Sequence, residues 1–219
     1  MCSSDLVLII EVDGLDAGLD REAEAIAAIV RAHGGSVQKS ITWRTRKEPE
    51  YVAIWKSRKS AFGAIGRLSP TFCTQDGVVP RTKLPHILRT ITRIGERYNI
   101  RIANVFHAGD GNIHPILLFD ERDPEQVRRV LEASHEILDE CIACGGSVTG
   151  EHGIGVEKMS FMPKLFTADD LAAMTAIRLV FNPDNRCSPE KMLPGGGGSP
   201  ACTGSARRSR PTRTRSRSA

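Results

Sequence analysis

The stretch Asn104–Phe119, which reads Asn-Val-Phe-His-Ala-Gly-Asp-Gly-Asn-Ile-His-Pro-Ile-Leu-Leu-Phe, constrains the fold of this chain more than any other. An apolar run, Ile102 to Phe106, enters it and a second, Ile116 to Phe119, leaves it. Between them Gly109, Asp110, Gly111 and Asn112 are the residue types that tolerate positive φ and build tight turns. The pattern predicts a β-hairpin with a histidine, His107 or His114, at each base of the loop. If the two stand opposite one another, their Cβ atoms lie about 4.5–5.5 Å apart on one face. Two imidazoles so placed can hold one divalent metal ion; the alternative is a hairpin whose histidines only hydrogen-bond locally.

A second stretch, Gly150-Glu151-His152-Gly153-Ile154-Gly155, adds to the first. Flanking glycines make it a poor helix, and in extended backbone Glu151 and His152 point to opposite sides, which suggests two different tasks. A carboxylate joined to two histidines is a three-ligand set with an open position, the pattern of a catalytic metal centre. The set His107, His114 and Glu151 leaves His152 free to move a proton.

The two motifs, HxGDGNxH and GEHGIG in this order and separation, resemble the C-terminal half of the FAD-linked oxidases. That family includes glycolate oxidase catalytic subunits, D-lactate dehydrogenases and D-2-hydroxyglutarate dehydrogenases. The resemblance runs from about Val7 to about Pro194 and ends in a near-typical Phe181-Asn182-Pro183-Asp184. It implies an α+β domain, a ferredoxin-like antiparallel sheet with helices packed on it. It also implies FAD as cofactor, carried on a separate N-terminal domain that no part of this chain resembles, so a fragment is expected. The implied reaction is oxidation of a small 2-hydroxy acid to a 2-oxo acid. His152 would be the base, and a divalent metal such as zinc would sit on His107, His114 and Glu151. Arg58, in Trp55-Lys56-Ser57-Arg58, falls where the family holds the substrate carboxylate through a guanidinium fork. Asp110 and Asn112 are expected to fix the turn. The 2-hydroxyglutarate branch places an asparagine where this chain has Ile116 and a lysine where it has Thr74, so a monocarboxylate, glycolate or D-lactate, fits better. An electron-transfer partner subunit is expected with it. Two other readings use the same residues: a metal-dependent hydrolase with water in the open position, and a non-catalytic ferredoxin-like binding module.

Composition narrows the rest. With 219 residues, 40% of them hydrophobic, the chain can bury a core of its own. No apolar run approaches a membrane span. The six cysteines are scattered, which suits a reducing compartment and points to the cytoplasm, or to the inner face of a membrane through a partner. Cys141-Ile142-Ala143-Cys144 ends a helix instead of starting one, so its thiols lack the dipole that activates a redox pair. The formal charge of +4 is local: six arginines between Arg207 and Arg217 produce it, and without them 24 basic side chains face 26 acidic ones. A nucleic-acid role for the folded body gains no support. Residues 1–6 carry no assignment, 7–194 form the domain, and 195–219, Gly-, Ser- and Arg-rich, are expected to be disordered.

Strand, helix and turn signals fill in the body. Val7–Val12 reads as a buried strand, and Ala23, Ile26, Ala27 and Val30 mark the inner face of a helix stopped at Gly34-Gly35. A strand is expected near Val37–Ile41, a helix over Glu48–Leu68 with Trp55, Phe62 and Ile65 inward, and a strand over Thr71–Val79. Helices are expected over Leu84–Tyr98, from Asp123-Pro124 to about Cys144, and over Lys158–Phe166 and Ala168–Phe181. Ser147–Thr149 reads as a short strand that delivers Glu151 and His152.

Overall fold

A computed structural model describes residues 7–37 and 48–195. The chain divides into two compact units, Met1–Ala61 and Phe62–Ala219.

The first unit carries α1 (Asp16–Ala32) and most of α2 (Pro49–Ile65). The less exposed positions of α1 are Gly18, Leu19, Ala23, Ile26, Ala27 and Val30, and they include the four that its 3.6-residue periodicity marks. Residues 7–12 are a correction. They form no strand, and Val7, Leu8, Ile9, Ile10 and Val12 are all exposed, because β-branched composition alone supplies no hydrogen-bonding neighbour. Of the strand expected at Val37–Ile41, only Val37 lies within the described residues, and it has no regular structure. Residues 1–6, and the expected tail apart from Gly195, lie outside the described residues.

The second unit is α+β, with an antiparallel sheet. Its elements are β1 (Thr71–Thr74), β2 (Gly77–Val78), α3 (Leu84–Tyr98), β3 (Arg101–His107), β4 (Asn112–Phe119), α4 (Pro124–Ala143), α5 (Met162–Leu165) and α6 (Ala168–Phe181). Strand β4 is central: β3 pairs it from Arg101↔Leu118 to His107↔Asn112, and β1 and β2 pair it end to end. β1 and β2 keep one register, Thr74↔Ile116 and Gly77↔Ile113, so the expected Thr71–Val79 strand is interrupted only at Gln75 and Asp76. The interruption faces Pro115, which has no N–H to give the ladder; Gln75 N–H still donates to the Pro115 carbonyl at 2.9 Å. The same register carries Asp76 opposite His114.

Alternation along β4 sends Ile113 and Leu117 into a core with Ile87, Ile91 and Ile94 of α3 and Val130, Ala133 and Ile137 of α4. Each of these isoleucine, leucine and valine side chains contributes about 1.5–3 kcal/mol by leaving water. The opposite face carries Asn112, His114, Ile116 and Leu118, the last two packed with Ile65. The histidine-bearing end of the sheet therefore lies on the face away from α3 and α4. Helix α4 starts as its sequence predicts: the Asp123 carboxylate accepts from the Glu125 and Gln126 amides, and Pro124 fills the first turn. Ser147 makes a single bridge to Val78 in place of a strand, and the expected Lys158–Phe166 helix is a 3₁₀ turn followed by the short α5. Helix α6 opens on a full capping box between Thr167 and Asp170.

Candidate functional site

The hairpin closes through Ala108–Gly111, with the Asp110 and Gly111 amides both donating to the His107 carbonyl at 3.1 Å. Gly111 has φ +77°, and a Cβ there would stand 2.1 Å from the Val79 carbonyl oxygen, so both conformation and space demand glycine. The histidines are not directly opposite: the register sets His107 against Asn112 and His114 against Val105. They are diagonal neighbours on one face, and their rings meet edge to face with centroids 5.4 Å apart.

The Gly150-Glu151-His152 segment comes to these rings from a distant part of the chain. His114 Nε2 lies 3.1 Å, and His107 Nε2 3.9 Å, from Glu151 Oε1. The His152 ring stacks on His114 with centroids 5.2 Å apart, and its Nε2 is 3.8 Å from the same oxygen. Glu151 and His152 thus serve one place instead of opposite sides, a correction with a local cause. The backbone here is not extended: the amides of Gly150, Glu151 and His152 all converge on Asp76 Oδ2, at 2.9, 3.1 and 2.9 Å. Three successive amides around one anion form a nest, which curves the chain and brings neighbouring side chains together. Thr149 completes the nest, its hydroxyl donating to Asp76 Oδ2 at 2.8 Å and accepting from the Gly153 amide at 2.8 Å. Gly150 packs against Asn112, whose amide carbon and oxygen would lie 2.6 Å from any Cβ placed there.

Asp76 is fully buried, and no motif in the sequence marks it. Burial opposes its ionisation, but the His152 amide, the Thr149 hydroxyl and the Glu151 and Gly150 amides outweigh that and hold its carboxyl down to about 2. Lys158, also buried, donates to the Asp76 carbonyl at 2.8 Å and keeps its ammonium 3.9 Å from Oδ2. Burial pushes the Lys158 amine down, against the pull of Asp76. His114 is 3% exposed; burial lowers its pKa, while Asp76, the Gln75 carbonyl and Glu151 pull the other way.

A metal fits the donor set. Tetrahedral ligands about 2.0–2.2 Å from one ion lie about 3.4 Å from one another. The separations of 3.1 and 3.9 Å about Glu151 Oε1 bracket that value, and the three donor atoms lie within 4.8 Å of one another. His107, Glu151 and His152 are about half exposed, so the set is open to solvent on one side. Ile116 stands opposite Thr74 in the sheet and is fully buried in an apolar cluster. Arg58 lies half-buried on α2 in the first unit. Cys141 is fully buried and its thiol is pushed up to about 12 by burial, in keeping with a structural role for the CxxC. Among the described residues no helix is long and apolar enough to cross a membrane.

A family model described as FAD linked oxidases, C-terminal domain, matches residues 2–192. The chain belongs to this family. Similar members include glycolate oxidase subunit GlcD of Escherichia coli, 38% identical over 191 residues, which are 87% of this chain and 38% of that protein. The GlcD subunit of Bacillus subtilis is 37% identical over 192 residues, 87% of this chain and 40% of the relative. The mitochondrial D-lactate dehydrogenase (cytochrome) of Arabidopsis thaliana is 27% identical over 190 residues, 85% and 33% of the two chains. The chain of this FAD-linked oxidase domain spans about two fifths of the length of its bacterial relatives.

Proposed function

We propose that residues 7–194 form the substrate-side domain of a flavin-dependent 2-hydroxy acid oxidoreductase acting on glycolate or D-lactate. The observation that carries this reading is the convergence of His107 Nε2, His114 Nε2 and Glu151 Oε1, with His152 Nε2 3.8 Å from that oxygen. Family membership supplies the reaction class, and relatives named for glycolate and D-lactate supply the substrate class. It also weighs against a hydrolase or a purely structural module built on the same residues.

In this reading His107, His114 and Glu151 hold a divalent metal such as zinc, which would act as a Lewis acid toward the substrate oxygens. FAD would take up the hydride released from Cα. His152, half exposed and stacked on His114, is placed to accept the hydroxyl proton as a neutral imidazole. Arg58 supplies a fork for the substrate carboxylate. Relatives described as subunits support an electron-accepting partner subunit, and with it a place in the cytoplasm or at the inner face of a membrane.

The 219-residue chain alone is expected to bind zinc but not to oxidise 2-hydroxy acids. In an enzyme that carries this domain together with its flavin domain, His152→Ala should slow flavin reduction about 10²–10⁴-fold, the usual loss on removing a general base. Stopped-flow absorbance of the flavin reads that step directly, and reduction at the unaltered rate would refute the base assignment. Arg58→Ala should instead act mainly by raising KM for the acid.

A further inference from the structure

Three side-chain atoms on this buried sheet face, Asp76 Oδ1, His114 Nδ1 and Asn112 Oδ1, lack a well-formed hydrogen bond, and the first two look at each other. Asp76 Oδ1 and His114 Nδ1 stand 3.9 Å apart across the β-ladder, with the Gln75 carbonyl as a second acceptor beside the His114 ring. Unpaired buried polar groups are costly, and a modest adjustment or one bridging water would pair these two. They are complementary only if Nδ1 carries the proton. With the buried ring neutral, Nε2 is then a bare lone pair 3.1 Å from the Glu151 oxygen, a contact that a cation between them would turn from repulsive to attractive. The other oxygen of the same carboxylate is saturated by Thr149, Gly150, Glu151 and His152. Lys158 lies behind it and balances its charge.

The geometry points to Asp76 as the positioning residue of the metal centre: Oδ2 fixes the loop that carries Glu151 and His152, and Oδ1 fixes the His114 tautomer that presents Nε2 to the metal. This inference rests on the metal reading of His107, His114 and Glu151. A histidine ligand is commonly oriented by a carboxylate on its other nitrogen, and losing such a group typically weakens metal binding about 10–100-fold. Asp76 differs in serving two ligands from two distant segments through its two oxygens.

The test uses the 219-residue chain and zinc alone, titrated in competition with a chromophoric chelator. Asp76→Asn should bind zinc about 10–100-fold more weakly than the unaltered chain. Cobalt substituted for zinc should show a changed visible spectrum in the variant. Equal affinity and an unchanged spectrum would overturn the proposal. Should Asp76→Asn fail to fold, the unaltered chain decides: long-range proton–nitrogen correlation of zinc-loaded, ¹⁵N-labelled protein should show His114 metallated at Nε2 and protonated at Nδ1. Metallation at Nδ1 would overturn the assignment. If the unaltered chain does not bind zinc at all, the metal reading itself fails, an outcome separate from either of these.

Discussion

At the scale of single residues, Asp76 has the clearest pH signature. Its folded-state carboxyl sits near 2 against an ordinary 3.8, so the folded state favours the ionised form. Its stabilising contribution is full above about pH 4 and is lost as pH falls from there toward 2; a shift of this size corresponds to about 2 kcal/mol. Urea unfolding across that range should show the loss, and Asp76→Asn should flatten it. That His107 and His114 share one hairpin face was legible in the sequence from the turn residues between two apolar runs, whereas the curved loop that brings Glu151 and His152 to one place was not. Nor was Asp76. It lies in an unremarkable Thr-Gln-Asp-Gly run, and its partners begin at Thr149; only the fold shows that four donors meet on it. Asn112, which follows the turn directly, is also the surface on which Gly150 rests.

At the scale of elements, the well-read pieces are those whose signals are local. Leu84–Tyr98 and Ala168–Phe181 were legible to the residue, the first from its strong amphipathic period and the second from the Thr167–Asp170 box. Thr167→Ala should cost about 1 kcal/mol of stability, within the usual range for a lost cap, and thermal unfolding will report it. Elements that depend on distant partners were read less well. Val7–Val12 has strand composition but no strand, and the Thr71–Val79 strand is broken opposite a proline that lies on another segment. Gly150→Ala belongs to this scale too. The added methyl would press on the Asn112 amide, with an expected destabilisation of about 1–3 kcal/mol and displacement of the Glu151 loop. Chemical denaturation of the variant measures the first, and zinc affinity of the same protein the second.

At the scale of the whole molecule, the central strand organises everything in the second unit: one of its faces makes the helix-covered core, and the other carries the site. Leu117, fully buried in that core, should lose about 2–5 kcal/mol on replacement by alanine, which denaturant unfolding would measure. The α+β class was legible because the hairpin and its flanking helices announce themselves; the break between the two units was not, since α2 runs through it unmarked. The hydrogen bonds to the Asp76 carboxylate span 73 to 76 residues of sequence, whereas the hairpin that holds His107 and His114 closes through four. Closing a long loop loses entropy before its contacts return any, so distant pairings form late. During refolding the two histidines should therefore be in place first, and Glu151 and His152 should join them in a later step that waits for the chain from Thr71 to His152 to be assembled. A refolding chain would pass through a two-histidine intermediate with only weak hold on zinc, and tight zinc uptake should lag behind the return of β-sheet signal.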